Sequence, residues 1–351
     1  MEKKYYRLDK LDAIGSKINI IYGGRNIGKS WAVQERVVDD AWNGRGGIGY
    51  IRRWSEDIKS MYTDKYFCDE DFVKIIKKIS KGKADSIKMI RGELFFTKFD
   101  EKKFVYNKVK TAGFAFALTA YERYKSLHFP NIKNLIFEEW QTDKLYLENE
   151  PDKLRSLIST IEREGNVTLY MVANTISLVC PYMDSWNLYN LERQKQGTID
   201  VYKYDSEYIP QISVEYCAEK DESKAFNVKG KKDSVAFGNW QISKDYPIKE
   251  LDPSNCLYKF IFEWNNYRFL CRLQKSDNGG FYIHVVRHTS DVKGLRIISN
   301  RYYDSPYYTS TFYPLSQSEK AVFDLVKMGR VMFGSPLIGE QWNNCLKNFK
   351  I

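Results

Sequence analysis

The sequence has no Cys-x-x-Cys pair, few histidines, no long apolar run and no excess of acid, and each absence removes a class of protein. Its six cysteines, Cys68, Cys180, Cys217, Cys256, Cys271 and Cys345, are scattered. Disulfide frameworks and zinc clusters need closer spacing, so reduced thiols in a cytoplasm are expected. Of the three histidines, His284 and His288 lie four apart in a segment that reads as strand. On one face of a strand they stand roughly 13 Å apart at about 3.3 Å per residue, too far for one ion to bridge. No run of about 18 apolar residues occurs, so no transmembrane helix and no membrane partner are expected. The first residues, Met1-Glu2-Lys3-Lys4-Tyr5-Tyr6-Arg7, lack the apolar stretch of a secretory signal. Asp and Glu total 45 against 55 Lys and Arg, a net charge of +10. That excess favours polyanionic partners, and it becomes informative only beside a nucleotide-binding motif. Internal repeats and low-complexity tracts are absent.

What is present is enough for at least two globular domains: 351 residues, 43% hydrophobic and 15% aromatic. Residues 18–22 are a short apolar run ending in glycines and read as a buried strand. Val33, Val37, Val38 and Ala41 recur at helical spacing over 29–42, and Asn43-Gly44-Arg45-Gly46-Gly47 breaks that helix. Ile48–Ile51 reads as a second strand, and strand–helix–strand order favours a parallel sheet. An amphipathic helix follows over 70–79, then short strands over 86–106, a separate strand over 113–119, a central strand at Leu135-Ile136-Phe137, a helix over about 150–163 and a strand over 167–173. After about residue 205 the character changes, and residues 223–249 are lysine-rich. From about 246 three strands, 257–264, 267–274 and 280–286, form a meander with turns at Asn265-Asn266 and Asp277–Gly280, and helices are expected over 316–328 and 339–348. The expected division is a mostly parallel α/β domain over 1–205, a basic linker domain over 206–245 and an α+β domain over 246–351.

Gly23-Gly24-Arg25-Asn26-Ile27-Gly28-Lys29-Ser30 fits G-x-x-x-x-G-K-[ST] in full, with an apolar strand entering and a helix leaving. Glycines let backbone N–H groups wrap phosphates, and the helix N-terminus adds positive potential. This chemistry assigns Lys29 to the β- and γ-phosphates of ATP and Ser30 to Mg²⁺. The second half of such a site is an acid ending a buried strand, which Leu135-Ile136-Phe137-Glu138-Glu139 supplies. Glu138 is expected near the Mg²⁺ shell, and Glu139 is expected to polarise the attacking water. Glu138 stands where Asp is usual, and its extra methylene moves the carboxylate outward by roughly 1.3–1.5 Å. Asn174, after the next strand, either senses the γ-phosphate or orients the water, or else closes a turn.

These motifs, with Tyr50-Ile51-Arg52-Arg53-Trp54, Phe129-Pro130-Asn131, Ala173-Asn174 and Pro181-Tyr182, resemble the terminase-like DNA-packaging ATPase, the encapsidation protein of small protein-primed tailed phages. The likeness is specific over roughly residues 15–185 and looser beyond. It implies an α/β fold: a P-loop ASCE ATPase domain with a mostly parallel sheet, then a small linker domain and an RNase H-like, vestigial nuclease domain. It implies a homopentameric ring on the portal vertex of the prohead in the host cytoplasm, absent from the mature virion. ATP hydrolysis there drives double-stranded DNA inward, and a structural prohead RNA tethers some such motors. The resemblance also implies a basic residue acting in trans, with Arg163 the first candidate and Lys125 the second. Arg25 matches the family inside the loop. Arg52 and Arg53 end the second strand, one facing the nucleotide or a neighbour and the other a solvated charge; Arg53 is the one assigned to the nucleotide. Lys59 and Lys65, in a loop after the second strand, and Lys224, Lys229, Lys231 and Lys232 are candidate contacts to the DNA backbone. The three C-terminal strands carry one acid, Glu263, where a two-metal nuclease needs several, so nuclease activity is not expected.

Two other readings share the phosphate loop. A small-molecule kinase needs an arginine-rich lid, and none stands out. An ATP-switched scaffold has no need of a water-polarising acid at position 139.

Overall fold

The computed structural model describes residues 6–67, 70–142, 146–162, 167–174, 180–188, 190–191, 194–204, 211–218, 246–264, 267–276, 279–288, 294–299, 308–310 and 316–347. The chain divides into two compact units, one of Met1–Ser177 and Trp186–Gln241, the other of Leu178–Ser185 and Ile242–Ile351.

The first unit runs through α1 (Asp9–Ile14), β1 (Ile18–Tyr22), α2 (Lys29–Trp42), β2 (Gly47–Arg52), α3 (Ser60–Tyr66), α4 (Glu70–Ile79), β3 (Ser86–Ile90), β4 (Glu93–Asp100), β5 (Val105–Ala117), α5 (Tyr121–Tyr124), β6 (Ile132–Glu138), α6 (Glu150–Ile161), β7 (Thr168–Val172), β8 (Thr198–Tyr202) and β9 (Ile212–Tyr216). Among the described residues these strands form one sheet in the order β3-β4-β5-β2-β6-β7-β1-β9-β8. From β5 through β9 every neighbouring pair is parallel. Antiparallel β3 and β4 extend one edge, and β8 extends the other.

Burial explains the arrangement. Every residue of β1 is buried, as a central parallel strand covered on both faces requires. Val33, Val37, Val38 and Ala41 of α2 pack into the same core as Ile48, Tyr50 and Ile136. Each fully buried aliphatic side chain contributes roughly 1.5–3 kcal/mol. The end of α2 is held from across the sheet: Lys110 Nζ donates to the carbonyls of Ala41 (3.1 Å) and Trp42 (2.6 Å), placing a cation at the negative end of the helix.

Three expectations need correction. The strand placed at 113–119 and the last short strand before it are one strand, β5. Gly113 lies within it at φ +155°, where a Cβ would stand 1.9 Å from the Ile48 carbonyl oxygen, so the glycine marks close strand approach rather than a boundary. Lys59 and Lys65, placed in a loop after the second strand, instead flank and end α3, which follows a 3₁₀ turn over Ser55–Ile58. And β9, inside the stretch read as basic linker, pairs in parallel with β1, so the first sheet runs past residue 205.

The second unit contains α7 (Pro181–Ser185), β10 (Cys256–Trp264), β11 (Tyr267–Lys275), β12 (Phe281–Arg287), β13 (Arg296–Ser299), β14 (Tyr308–Ser310), α8 (Gln317–Lys327), β15 (Val331–Phe333) and α9 (Pro336–Lys347). Its sheet has the order β14-β13-β10-β11-β12-β15. β10, β11 and β12 form the expected antiparallel meander, and β13 and β14 add in parallel beside β10. Phe260, Phe262 and Phe269 pack with Phe323 of α8 and Trp342 of α9. A capping box starts α8: Ser316 Oγ accepts from the Glu319 N–H, and the Glu319 carboxylate accepts from the Ser316 N–H. No helix among the described residues is long and apolar enough to cross a membrane.

Candidate functional site

In open sheets of this kind, ligands bind beyond the carboxyl ends of the parallel strands. Here those ends carry Gly23–Ser30 after β1, Arg53 after β2, Glu139 after β6 and Asn174 after β7. The segment Gly23–Ser30 turns by placing Gly23, Asn26 and Gly28 at positive φ (148°, 61° and 95°). Glycine accepts such angles at no steric cost, and asparagine tolerates them. Gly23 is also constrained by space, since a Cβ there would meet the Cβ of Cys217 at 3.1 Å. Helix α2 then begins at Lys29 with no side-chain cap and no acid in its first turn, which leaves its positive end uncompensated.

Lys29 is buried, and its ammonium donates to the carbonyls of Gly24 (2.5 Å) and Gly23 (3.3 Å) and to Asn174 Oδ1 (3.3 Å). Burial pushes its pKa down to about 8, against an upward pull from Cys217 and Glu138. A buried ammonium held by neutral oxygens is stabilised by an anion. Ser30 Oγ donates to Glu138 Oε2 at 3.3 Å, and the Tyr66 hydroxyl donates to Glu138 Oε1 at 2.6 Å. Burial raises the pKa of Glu138 despite these two bonds, and burial together with the Glu138 charge raises that of Tyr66 well above the ordinary phenol value. A hydroxyl and a carboxylate facing each other are the oxygen donors that Mg²⁺ takes, so these residues fit the ion expected from the motif. The Glu138 carboxylate reaches Ser30 while the residue keeps its parallel register with Val172.

Glu139 has φ +56° and its N–H donates to the Val172 carbonyl at 2.9 Å. A left-handed non-glycine residue costs on the order of 1–3 kcal/mol, and such strain collects at functional turns. The kink separates two adjacent acids. Glu138 stays buried in the strand, whereas the Glu139 side chain is 68% exposed and accepts from Arg52 Nη2 at 2.7 Å.

The assignment of Arg53 to the nucleotide is corrected. Arg53 is buried, with Nε and Nη2 on the two carboxylate oxygens of Glu150 (2.7 and 2.9 Å). Its Nη1 also donates to the carbonyl of Glu139 (3.1 Å) and its Nη2 to that of Trp140 (2.9 Å), and its guanidinium lies over the rings of Tyr146 and Phe137. Four of its five N–H groups are spent on these protein acceptors, and the guanidinium fixes the backbone that follows Glu139.

The structure therefore brings together Gly23–Ser30, Glu138 and Asn174, with Glu139 on Arg52 beside them. Arg25 is exposed on the loop. Lys125 is exposed just after α5, paired with Glu122 at 3.1 Å and lying over the Tyr121 ring. Lys59 and Lys65 are exposed at the two ends of α3. Arg163, Lys224, Lys229, Lys231 and Lys232 lie outside the described residues. Sequence reasoning missed Tyr66 and Glu150. Both sit at the ends of helices distant in sequence from the acids and arginines they bind, and the only local signal was Glu150 before Pro151, which reads as a helix start. In the second unit His284 is buried with Nε2 at 3.0 Å from the Lys249 carbonyl, and Glu263 lies 3.6 Å from Arg268.

Comparison with known proteins adds the following. The family model described as podovirus DNA encapsidation protein (Gp16) matches residues 1–295. The DNA packaging protein of Bacillus phage phi29 is 25% identical over 188 residues, 52% of this chain and 50% of that protein. The chain thus spans about half the length of the curated relatives it matches. Among solved structures, the bacteriophage Phi-29 viral genome packaging motor assembly aligns with 99% of this chain and 99% of its own at a TM-score of 0.66 and 15% identity. The Phi-28 gp11 DNA packaging motor aligns with 100% of this chain and 99% of its own at a TM-score of 0.63 and 19% identity. At these identities the two likenesses show a shared fold.

Proposed function

This chain belongs to the podovirus DNA encapsidation protein family, and we propose that it is an ATPase whose turnover drives double-stranded viral DNA into a prohead. The observation that carries the proposal is the junction of the phosphate loop with two acids of unlike environment. Ser30 meets buried Glu138, and Glu139 stands exposed at the next position. In this reading the loop amides and Lys29 hold the β- and γ-phosphates, and Asn174 positions the Lys29 ammonium. Ser30 and Glu138 hold Mg²⁺, which when bound neutralises charge on the phosphates. Glu139 polarises the attacking water once it leaves Arg52, so Arg52 restrains hydrolysis until the site is committed. Arg53 and Glu150 keep the backbone of Glu139 in register.

The relatives' names, DNA packaging protein and DNA packaging motor, support DNA as the packaged polymer. The basic charge of the chain suits sequence-independent phosphate contacts, with Lys59 and Lys65 and the lysines at 229, 231 and 232 as candidates. A homopentameric ring on the portal, with Arg163 or Lys125 completing a neighbour's site and with a prohead RNA as tether, belongs to the same proposal, as does action on the prohead in the host cytoplasm. The strand order of the second unit, a meander with two parallel strands added beside its first strand, supports the RNase H-like reading. That domain would then dock or grip DNA rather than cut it.

The test is phosphate release from ATP with and without duplex DNA. Strong stimulation by DNA supports the motor, transfer of phosphate to a small acceptor supports a kinase, and no turnover under either condition refutes an ATPase. Mixing Arg163→Ala with Glu139→Gln chains restores part of the activity if the arginine acts in trans; no recovery at any ratio excludes it.

A further inference from the structure

Helix α3 exposes Lys59 and Lys65 at its ends, and its last residue is Tyr66. The Tyr66 hydroxyl makes the shortest bond to Glu138, at 2.6 Å, while the opposite carboxylate oxygen is held more loosely by Ser30 at 3.3 Å. A hydroxyl donating to a carboxylate is stronger than a neutral pair, so the acid is firmly held on one oxygen and freer on the other. A second tie binds the same residue to α2, where Gln34 Nε2 donates to the Tyr66 carbonyl at 3.0 Å. The ring is fixed by stacking on Tyr50 (centroids 4.7 Å apart) and by an edge contact with Phe67 at 4.8 Å. At the other side of α3, Asp64 accepts from the Met89 N–H at 2.8 Å and pairs with Lys88 at 3.4 Å, joining the helix to β3. Packing alone would be satisfied by phenylalanine at position 66; the hydroxyl adds a connection between α3 and the acid that faces Ser30.

We propose that Tyr66 is a positioning residue that latches α3 to Glu138, so that entry of a divalent cation between Ser30 and Glu138 is transmitted to α3 and to the lysines it exposes. Ser30 and Glu138 would hold the cation; Glu138 is tied only loosely to Ser30 and firmly to the Tyr66 hydroxyl, so a shift of the carboxylate is passed to Tyr66. This gives the nucleotide site a direct physical link to a basic surface element, and it rests on the reading of Gly23–Ser30 and Glu138 as a Mg²⁺–nucleotide site.

Hydrogen–deuterium exchange on the full chain tests it, with a slowly hydrolysed ATP analogue present and Mg²⁺ added or withheld. In the unaltered protein, Mg²⁺ changes exchange at residues 23–30 and at residues 60–66. In Tyr66→Phe, which keeps both ring contacts, the change at 23–30 persists and the change at 60–66 falls to less than a third. The Mg²⁺ concentration for half-maximal hydrolysis rises about threefold or more, while analogue affinity without Mg²⁺ stays within twofold. Gln34→Leu, which cuts the other tie without touching the carboxylates, reduces the response at 60–66 by a smaller factor. An unchanged response at 60–66 in both variants, with 23–30 still responding, overturns the latch and leaves the nucleotide site standing. No response at 23–30 in the unaltered protein overturns the nucleotide reading, and the latch with it.

Discussion

Replacing Arg53 by methionine separates a structural arginine from a nucleotide-binding one. Methionine keeps much of the apolar stem and removes the guanidinium. The Glu150 side chain has 0% exposure and that of Arg53 6%, so the carboxylate left behind cannot recover solvation. It keeps the bond from the Leu147 N–H at 2.9 Å but loses both guanidinium bonds, and the carbonyls of Glu139 and Trp140 each lose a donor. Breaking a buried pair by removing one partner costs about 3–5 kcal/mol. For a domain of 150–250 residues that corresponds to a fall in Tm of roughly 6–20 °C. Urea unfolding and calorimetry read the loss directly. The double variant Arg53→Met/Glu150→Leu should recover most of it, because replacing a buried pair by apolar side chains is often neutral. Nucleotide affinity, measured where the single variant is folded, should stay within about threefold of the unaltered value. A stability loss below about 1 kcal/mol together with a tenfold loss of nucleotide affinity would refute this reasoning and return Arg53 to the phosphates.

Three further outcomes follow from the same geometry. Because burial holds Lys29 near pKa 8 and a triphosphate favours its charged form, nucleotide binding above pH 8 takes up a proton and weakens as pH rises; calorimetry in two buffers of different ionisation enthalpy measures the uptake, and zero uptake at pH 8.5 contradicts it. Arg52→Ala frees Glu139 from a pair worth about 1 kcal/mol, so DNA-independent ATP hydrolysis should rise roughly fivefold; an unchanged or lower rate means that Arg52 does not restrain the acid. Gly113→Ala forces a Cβ to within 1.9 Å of the Ile48 carbonyl and should destabilise the first unit by roughly 3 kcal/mol or more in urea unfolding, whereas a neutral change would show that β5 can shift away from β2.

Much of the first unit was legible because its signals are local. The phosphate loop declares itself by spacing, β1 and β6 by short apolar runs, and α2 by the recurrence of Val33, Val37, Val38 and Ala41. What the sequence hid is set by distance along the chain. Arg53 meets Glu150 across 97 positions and Tyr66 meets Glu138 across 72, and no periodicity reports either meeting. An arginine after a strand reads the same whether it turns outward to a phosphate or inward to a carboxylate. The β9 segment, Ile212-Ser213-Val214-Glu215-Tyr216, alternates apolar and polar residues over only five positions, too short to stand out beside the charges that follow, yet pairing with β1 and β8 buries all five. β5 was divided in two because a glycine inside a strand resembles a turn until its φ and its neighbour across the sheet are known.

If positions 23–30 bind ATP and Glu139 after β6 turns it over, Glu139→Gln separates binding from turnover, because the amide keeps the shape of the side chain and removes its basicity. The variant should bind an adenine nucleotide with Mg²⁺ as tightly as the unaltered chain while its release of phosphate in the presence of duplex DNA falls by about 10²–10⁴-fold. Turnover at the unaltered rate would contradict the account.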